Sequence, residues 1–393
     1  MHLQKLNKNF FIFLLFTTFL NANEVDENIL SEDRLNIIDF NKKQNEENSS
    51  KLKKDWINPI TFSYSKNYTD TYDTAKSIIS INQPIFKSGG IYSAIKYANA
   101  NFKYNSLDIE TQRKELIKQA TTILFNLHIL DLNIKKNELL LKNANIDIQR
   151  KKEQVLNGFL DTSYLDNAIL DANTIKNSLA DLYYQKEELE NSFNNLSNKE
   201  YKRFTLPTLS LTNKETFLDN SLELAKAKAD INQKDYLKDM TISQYLPSLN
   251  VNLDYTHYHD TDNNYSLDEN SKTYGLSVSM PLDVRTFNDI ESQRIEYLKA
   301  KLNLNTTIIE EQNFYKTKIS KINMLERKKK IAKEDFELYE SLLKIIIEEK
   351  NAQLKTQSDV DTLANSQKIK SIEVKIYELE KQVELLEIYA KVI

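Results

Sequence analysis

The chain has 393 residues, a net charge of −4 and 28% charged residues, a balance that points away from nucleic acid as a partner. It has no cysteine, which excludes disulfides, thiolate metal sites, cysteine nucleophiles and a lipid carried on an N-terminal cysteine. Four glycines and five prolines are too few for the turns of two compact domains, so long elements with few corners are expected.

Residues 1–22 read as a secretory signal. Lys5 and Lys8 make a positive start, Phe10 to Leu20 an apolar core, and Ala22 a small residue before a cut ahead of Asn23. An uncleaved anchor is the alternative, although the apolar core is short for a span. Residues 23–56 are polar and rich in Asn, Lys and Glu, with a short helical hint around Leu35 to Phe40. They are expected to form a loosely docked leader. Trp56 and Tyr64 are candidates for a membrane interface.

Residues 57–196 then form a first structural unit. Pro59 opens an alternating run, Thr61 to Ser65, and a second run from Ser77 to Phe86 holds Pro84 and stops at Gly89-Gly90. Gly90 to about Leu156 contains no other Gly or Pro and predicts a helix about 100 Å long at 1.5 Å per residue. Its apolar positions Ile117, Ala120, Leu124 and Leu127 follow the 3-4-3 spacing of a coiled-coil seam. Gly158 ends this helix in the left-handed conformation a glycine tolerates, and Asp161, Thr162 and Ser163 cap a returning helix over Ser163 to Leu196. Residues 197–213, with Pro207, make a linker.

Residues 214–393 repeat the pattern. A helix over Glu215 to Tyr245 stops before Pro247; strands follow over Ser248 to Tyr255 and Tyr274 to Leu282, the latter holding Pro281. A second long helix, Thr286 to Ala352, carries its own seam at Phe336, Tyr339, Leu343 and Ile346 and turns at Gln353, where the first half has its tip glycine. A last helix covers Val360 to Val392. Pro59 and Pro247 lie 188 residues apart, Pro84 and Pro281 lie 197 apart, and Ser163-Tyr164-Leu165-Asp166 matches Ser358-Asp359-Val360-Asp361 at a step of 195. Two internal repeats follow from this spacing.

The strands alternate. Leu249, Val251, Leu253 and Tyr255 face one way, and Asn250, Asn252 and Asp254 the other; Leu276 and Val278 alternate with Ser277 and Ser279. Strands of 8–11 such residues either cross an outer membrane tilted or form a sheet with one face on a soluble core. Small polar residues on the second face, in place of Lys and Glu, favour a water-filled lumen.

No familiar catalytic spacing is present, and neither enzyme nor cofactor is expected. His257 and His259, beside Asp260 and Asp262, are read as a polar hairpin tip in preference to a metal site, because two ligands without a third hold a metal weakly. His128 is read as a helix-interface histidine, and Arg327 to Lys330 as a solvated helix face.

Pro84-Ile85-Phe86-Lys87-Ser88-Gly89-Gly90, Leu246-Pro247-Ser248-Leu249, Gly275 to Leu282 and the Gly158 tip, in this order, resemble the TolC-like outer-membrane efflux and secretion channels. The resemblance covers most of residues 57–393. It implies a mixed α+β membrane protein in which four strands per chain build a trimeric twelve-stranded β-barrel, continued by a long antiparallel α-helical barrel in the periplasm. It also implies a homotrimer in outer-membrane lipid, coupled through a periplasmic adaptor to an inner-membrane transporter of the RND, ABC or MFS type. Pro84, Gly89, Gly90 and Pro281 fall at the strand–helix junctions; Gly158, Tyr164, Asp166 and Gln353 fall at the helix-turn tips. Asp361, with Asp359, matches the acidic residues of a periplasmic gate, although Asp359 also suits a helix start. The second junction, Leu282-Asp283-Val284-Arg285, lacks the glycines of the first, and Ala364 stands where a second gate acid belongs. The rival reading is a periplasmic coiled-coil adaptor or scaffold that binds without conducting.

Overall fold

The computed structural model describes residues 27–68, 73–260 and 270–393; the signal segment 1–22 lies outside them. A 3-10 turn at Glu27–Ile29 leads into α1 (Glu32–Lys54), then β1 (Thr61–Asn67), β2 (Thr74–Phe86), α2 (Gly90–Leu156) and α3 (Thr162–Asn194). After a second 3-10 turn at Tyr201–Arg203 come α4 (Lys214–Asp219), α5 (Leu222–Gln244), β3 (Ser248–Asp260), β4 (Asn270–Ser279), α6 (Thr286–Asn351) and α7 (Gln357–Tyr389).

The four strands make one antiparallel sheet in the order β1-β2-β3-β4, so β1 and β4 are its open edges. Beneath the sheet α1, α2, α5 and α6 lie side by side; farther along, α3, α2, α7 and α6 do. Helices α2 and α6, of 67 and 66 residues, run through both layers.

Where the two layers meet, the long seam of α2 is buried. Ile117, Ala120, Leu124 and Leu127 are all nearly inaccessible and pack with Ile29, Ile38, Phe193, Leu196 and Leu386. A second cluster around Phe217 holds Tyr315, Ile322, Leu385 and Ile388. Phe336, Tyr339, Leu343 and Ile346 are half-buried on the α6 that packs along α7. Ion pairs supplement that narrow apolar contact: Lys318 and Lys321 with Glu384 at 2.8 Å each, Lys370 with Asp335 at 3.1 Å, and Lys381 with Glu326 at 2.5 Å.

Three expectations are corrected. The loosely docked leader is instead the 23-residue α1, packed along α2. Ile38 anchors it in the core, and polar contacts that carry no periodic apolar signal add to the hold. Asn45 Nδ2 donates to Phe102 O at 3.1 Å and Ser106 Oγ at 3.0 Å, and Arg34 reaches Asn195 O at 2.8 Å. The single helix over Glu215 to Tyr245 is two, α4 and α5. Asn213 caps the first, and Ser221, whose Oγ accepts from Leu224 N and donates to Glu311, caps the second. Finally, β3 runs on to Asp260, so His257 and His259 lie within a strand and not in a hairpin tip.

Candidate functional site

Register sorts the sheet residues into two faces. Phe62 pairs with Ile79, Ile79 with Tyr255, Ile81 with Leu253, Leu253 with Tyr274, Val251 with Leu276, and Leu249 with Val278. These residues form one continuous apolar face across four strands, and its large side chains Phe62, Tyr64, Leu253, Tyr274, Leu276 and Val278 are exposed. The other face pairs Thr61 with Ser80, Ser80 with Asp254, Asn82 with Asn252, Asn252 with Gly275, and Asn250 with Ser277. On it Asn252 Nδ2 donates to Ser277 Oγ at 2.9 Å. A sheet that leaves its apolar face uncovered and keeps small polar residues on the other is inverted with respect to a soluble core. Tyr64 sits on the apolar face toward the hairpin ends, and Trp56 lies at the opposite, helix-side end.

At the first strand–helix junction Pro84 is fully buried beside a register shift, a place where a residue without an N–H is tolerated. Ser88 and Gly89 take positive φ of 42° and 88°, and Ser88 Oγ donates to Pro247 O at 2.7 Å, joining the two junctions. Gly90 is required by proximity: a Cβ there would stand 2.3 Å from Ser243 Oγ on α5. At the second junction Pro281 follows the end of β4, and the turn dispenses with glycine. Asp283 Oδ1 accepts from Arg285 N at 2.8 Å, and its carboxylate pairs with the guanidinium at 2.6 Å. These bonds hold the Asp283 carboxyl at about 2.

The far ends of α2 and α6 close with the same motif. Gly158 has φ 71° and Gln353 φ 62°; Phe159 N donates to Gln154 O and Leu354 N to Glu349 O, both at 2.8 Å. Gln353 thus accepts the left-handed conformation at a position where glycine would be unstrained. Asp161 caps α3 through Ser163 N at 2.8 Å, and Tyr164 and Asp166 are exposed on its first turns. The cap of α7 is Thr356, not Asp359. Asp359 completes a capping box, accepting from Thr356 N at 3.0 Å and Oγ1 at 2.8 Å. It also pairs with Arg150 of α2 at 2.7 Å. The hydrogen bonds from Thr356, with Arg150 and Lys355 nearby, hold the Asp359 carboxyl below the usual carboxylate range. Asp361, one half-turn on, is exposed and accepts from Gln357 Nε2 at 2.7 Å. Arg150 is the tip residue that sequence reasoning missed; it lies in a run of charged helix residues with no signal to single it out.

His128 is half-buried on α2, its ring edge-on to Tyr201 at 6.0 Å, and burial pushes its pKa down against the raising effect of Asp131. Lys328 and Lys329 meet Tyr377 and Glu378 of α7, so the basic run is partly zipped to its neighbour. Among the described residues no group of three His, Cys, Asp or Glu could hold a metal, and no helix is long and apolar enough to cross a membrane.

The architecture matches solved structures along nearly its full length. The outer membrane protein VceC from Vibrio cholerae superposes with a TM-score of 0.74 at 13% identity, over 94% of this chain and 95% of that one. The CmeC outer membrane channel of Campylobacter jejuni gives 0.69 at 13%, over 93% and 84%. A membrane protein from Pseudomonas aeruginosa gives 0.72 at 9%, over 92% and 89%. The chain has the fold of the TolC-like outer-membrane channels. No protein-family model and no curated protein sequence matches it.

Proposed function

We propose that the protein is the outer-membrane exit duct of a tripartite efflux or type I secretion system, a passive conduit with no chemistry of its own. One observation carries this reading: an apolar face continuous in register across four strands and left uncovered, on a sheet whose two edge strands have no partner among the described residues. In lipid an unpaired edge costs several kcal/mol per backbone group. Three chains supply twelve strands and close the sheet on itself, with the Ser, Asn and Thr face around water.

The helices support the same trimer. On α6, Ile295, Leu298, Leu302 and Ile309, then Ile331, Leu338 and Ile345, are exposed at heptad spacing, an unpartnered seam on the edge helix of both layers. A neighbouring copy covers it and continues the helical barrel into the periplasm. The exposed tips then face a periplasmic adaptor and, through it, an inner-membrane RND, ABC or MFS transporter that supplies the energy. The solved channels of this fold are described as outer-membrane proteins, which supports the location. At the tips, threefold assembly turns Asp361 into a ring of three carboxylates that favours cations, while Asp359 latches the start of α7 to Arg150.

The test is reconstitution. Protein extracted from outer-membrane fractions with detergent and added to a planar bilayer gives discrete conductance steps; a protein released by salt alone, or silent in the bilayer, overturns the reading.

A further inference from the structure

We propose that the outer end of the apolar sheet face is a docking belt for the phosphate groups of an anionic outer-leaflet glycolipid, contacted by Lys272, His257 and His259. The inference rests on the outer-membrane reading above. The face is apolar from Leu249 to Tyr255 and then changes character abruptly. Lys272 stands opposite Tyr255, and His257 stands between Ser77 and Asn270. His259 is the extra residue where the β2–β3 register shifts between Ala75 and Lys76, and such a bulge re-aims a side chain. It brings the two imidazoles to 4.7 Å, edge to face.

The side chains at this level are held in place. Asn270 Oδ1 accepts from Tyr255 Oη at 2.7 Å and lies 2.8 Å from His257 Nδ1. With that oxygen as acceptor, Nδ1 carries the proton and Nε2 is left as an acceptor for an outside O–H. Ser77 Oγ lies 2.7 Å from His259 Nε2, which leaves Nδ1 of that ring. Lys272 is exposed. A cation and two imidazoles next to Tyr64 and Tyr255, at the rim of a lipid-facing band, sit where headgroups lie. The ligand complementary to them there brings negative charge to Lys272 and an O–H to an imidazole nitrogen, as a phosphate monoester that keeps one P–O–H does. Asp260 stands one pair farther out, opposite Ala75, at the outer limit of the belt.

The full-length protein in detergent with a chelator is titrated with lipid A carrying its phosphates, and with the same lipid stripped of them, and bound lipid is counted by native mass spectrometry. The wild type should prefer the phosphorylated lipid roughly tenfold, and H257Q/H259Q/K272Q should lose that preference. K76Q, on the polar face, should keep it. Equal preference in wild type and triple variant, or binding that requires an added divalent transition metal, overturns the belt. Conductance and oligomer mass of the triple variant are measured alongside. If these match wild type while the preference is unaffected, the belt alone fails; if wild type itself does not conduct, the channel reading fails.

Discussion

Gly90 and Gln353 are opposite cases of one constraint. Gly90 has ordinary backbone freedom and lacks a side chain because Ser243 occupies the space. Gly90→Ala should therefore disrupt the α2–α5 junction, and Ser243→Gly in the same chain should recover most of the loss; thermal unfolding of the four variants measures the coupling. Gln353 has the space of a tip but carries a Cβ in a left-handed turn. Gln353→Gly should stabilise the tip by about 1 kcal/mol, visible as slower amide exchange across residues 351–358. Asp359 adds a pH dependence whose sign follows from its partners. Its folded pKa lies below the ordinary 3.8, so its contribution is present above that value and is lost as pH falls through the lower folded one. Acidification should speed exchange at the start of α7, and Asp359→Asn should remove that dependence. In single-channel recordings Asp361→Ala should weaken cation selectivity and block by divalent cations, whereas Arg150→Ala should raise the open fraction by releasing the latch. Unchanged traces in both would leave the two acids with a helix-start role only.

At the scale of elements, the strands make the sharpest claim. Val251 and Leu276 are paired on the apolar face, and Asn252 and Ser277 lie next to them on the other. Val251→Arg and Leu276→Arg should cost roughly 2–4 kcal/mol each near a bilayer midplane, while Asn252→Arg and Ser277→Arg should be tolerated in a wet lumen. The amount of assembled oligomer in outer-membrane fractions reads the difference, and equal tolerance on both faces would show that the strands do not span lipid. The long helices behave differently, because their stability comes from pairing. Apolar packing of Leu139 of α2 with Ile369, Ile372 and Ile376 of α7, together with the α6–α7 ion pairs, makes each lower helix dependent on its neighbours.

For the whole molecule, the requirement is closure. Among the described residues, one chain leaves the outer edges of β1 and β4 without a strand partner and an apolar heptad seam exposed on α6. The detergent-solubilised particle should have three times the mass of the chain, and dilution should not yield a folded monomer. A stable monomer by mass photometry would rule out the shared barrel.

Much of this molecule follows from residue order alone. The period-2 runs around Val251 and Leu276, the glycine-free helices beginning at Gly90 and Thr286, and the Gly158 turn are local patterns, and local sterics and hydrophobic periodicity determine them. Gly158 and Gln353, placed at the two tips from the sequence, both take the left-handed conformation, because the tip hydrogen bonds depend only on neighbouring residues. What tertiary structure alone decided lies where polar atoms find distant partners. Beside the core contact of Ile38, α1 is fixed by Asn45 and Arg34 reaching backbone carbonyls of other segments, and nothing near those two residues reveals these partners. Thr356, not Asp359, caps α7, and Asp359 meets Arg150 across 209 residues of sequence. The extension of β3 through His257 and His259 likewise comes from pairing with β2 and β4, since cross-strand hydrogen bonds can order a polar stretch that its own composition would leave as a turn.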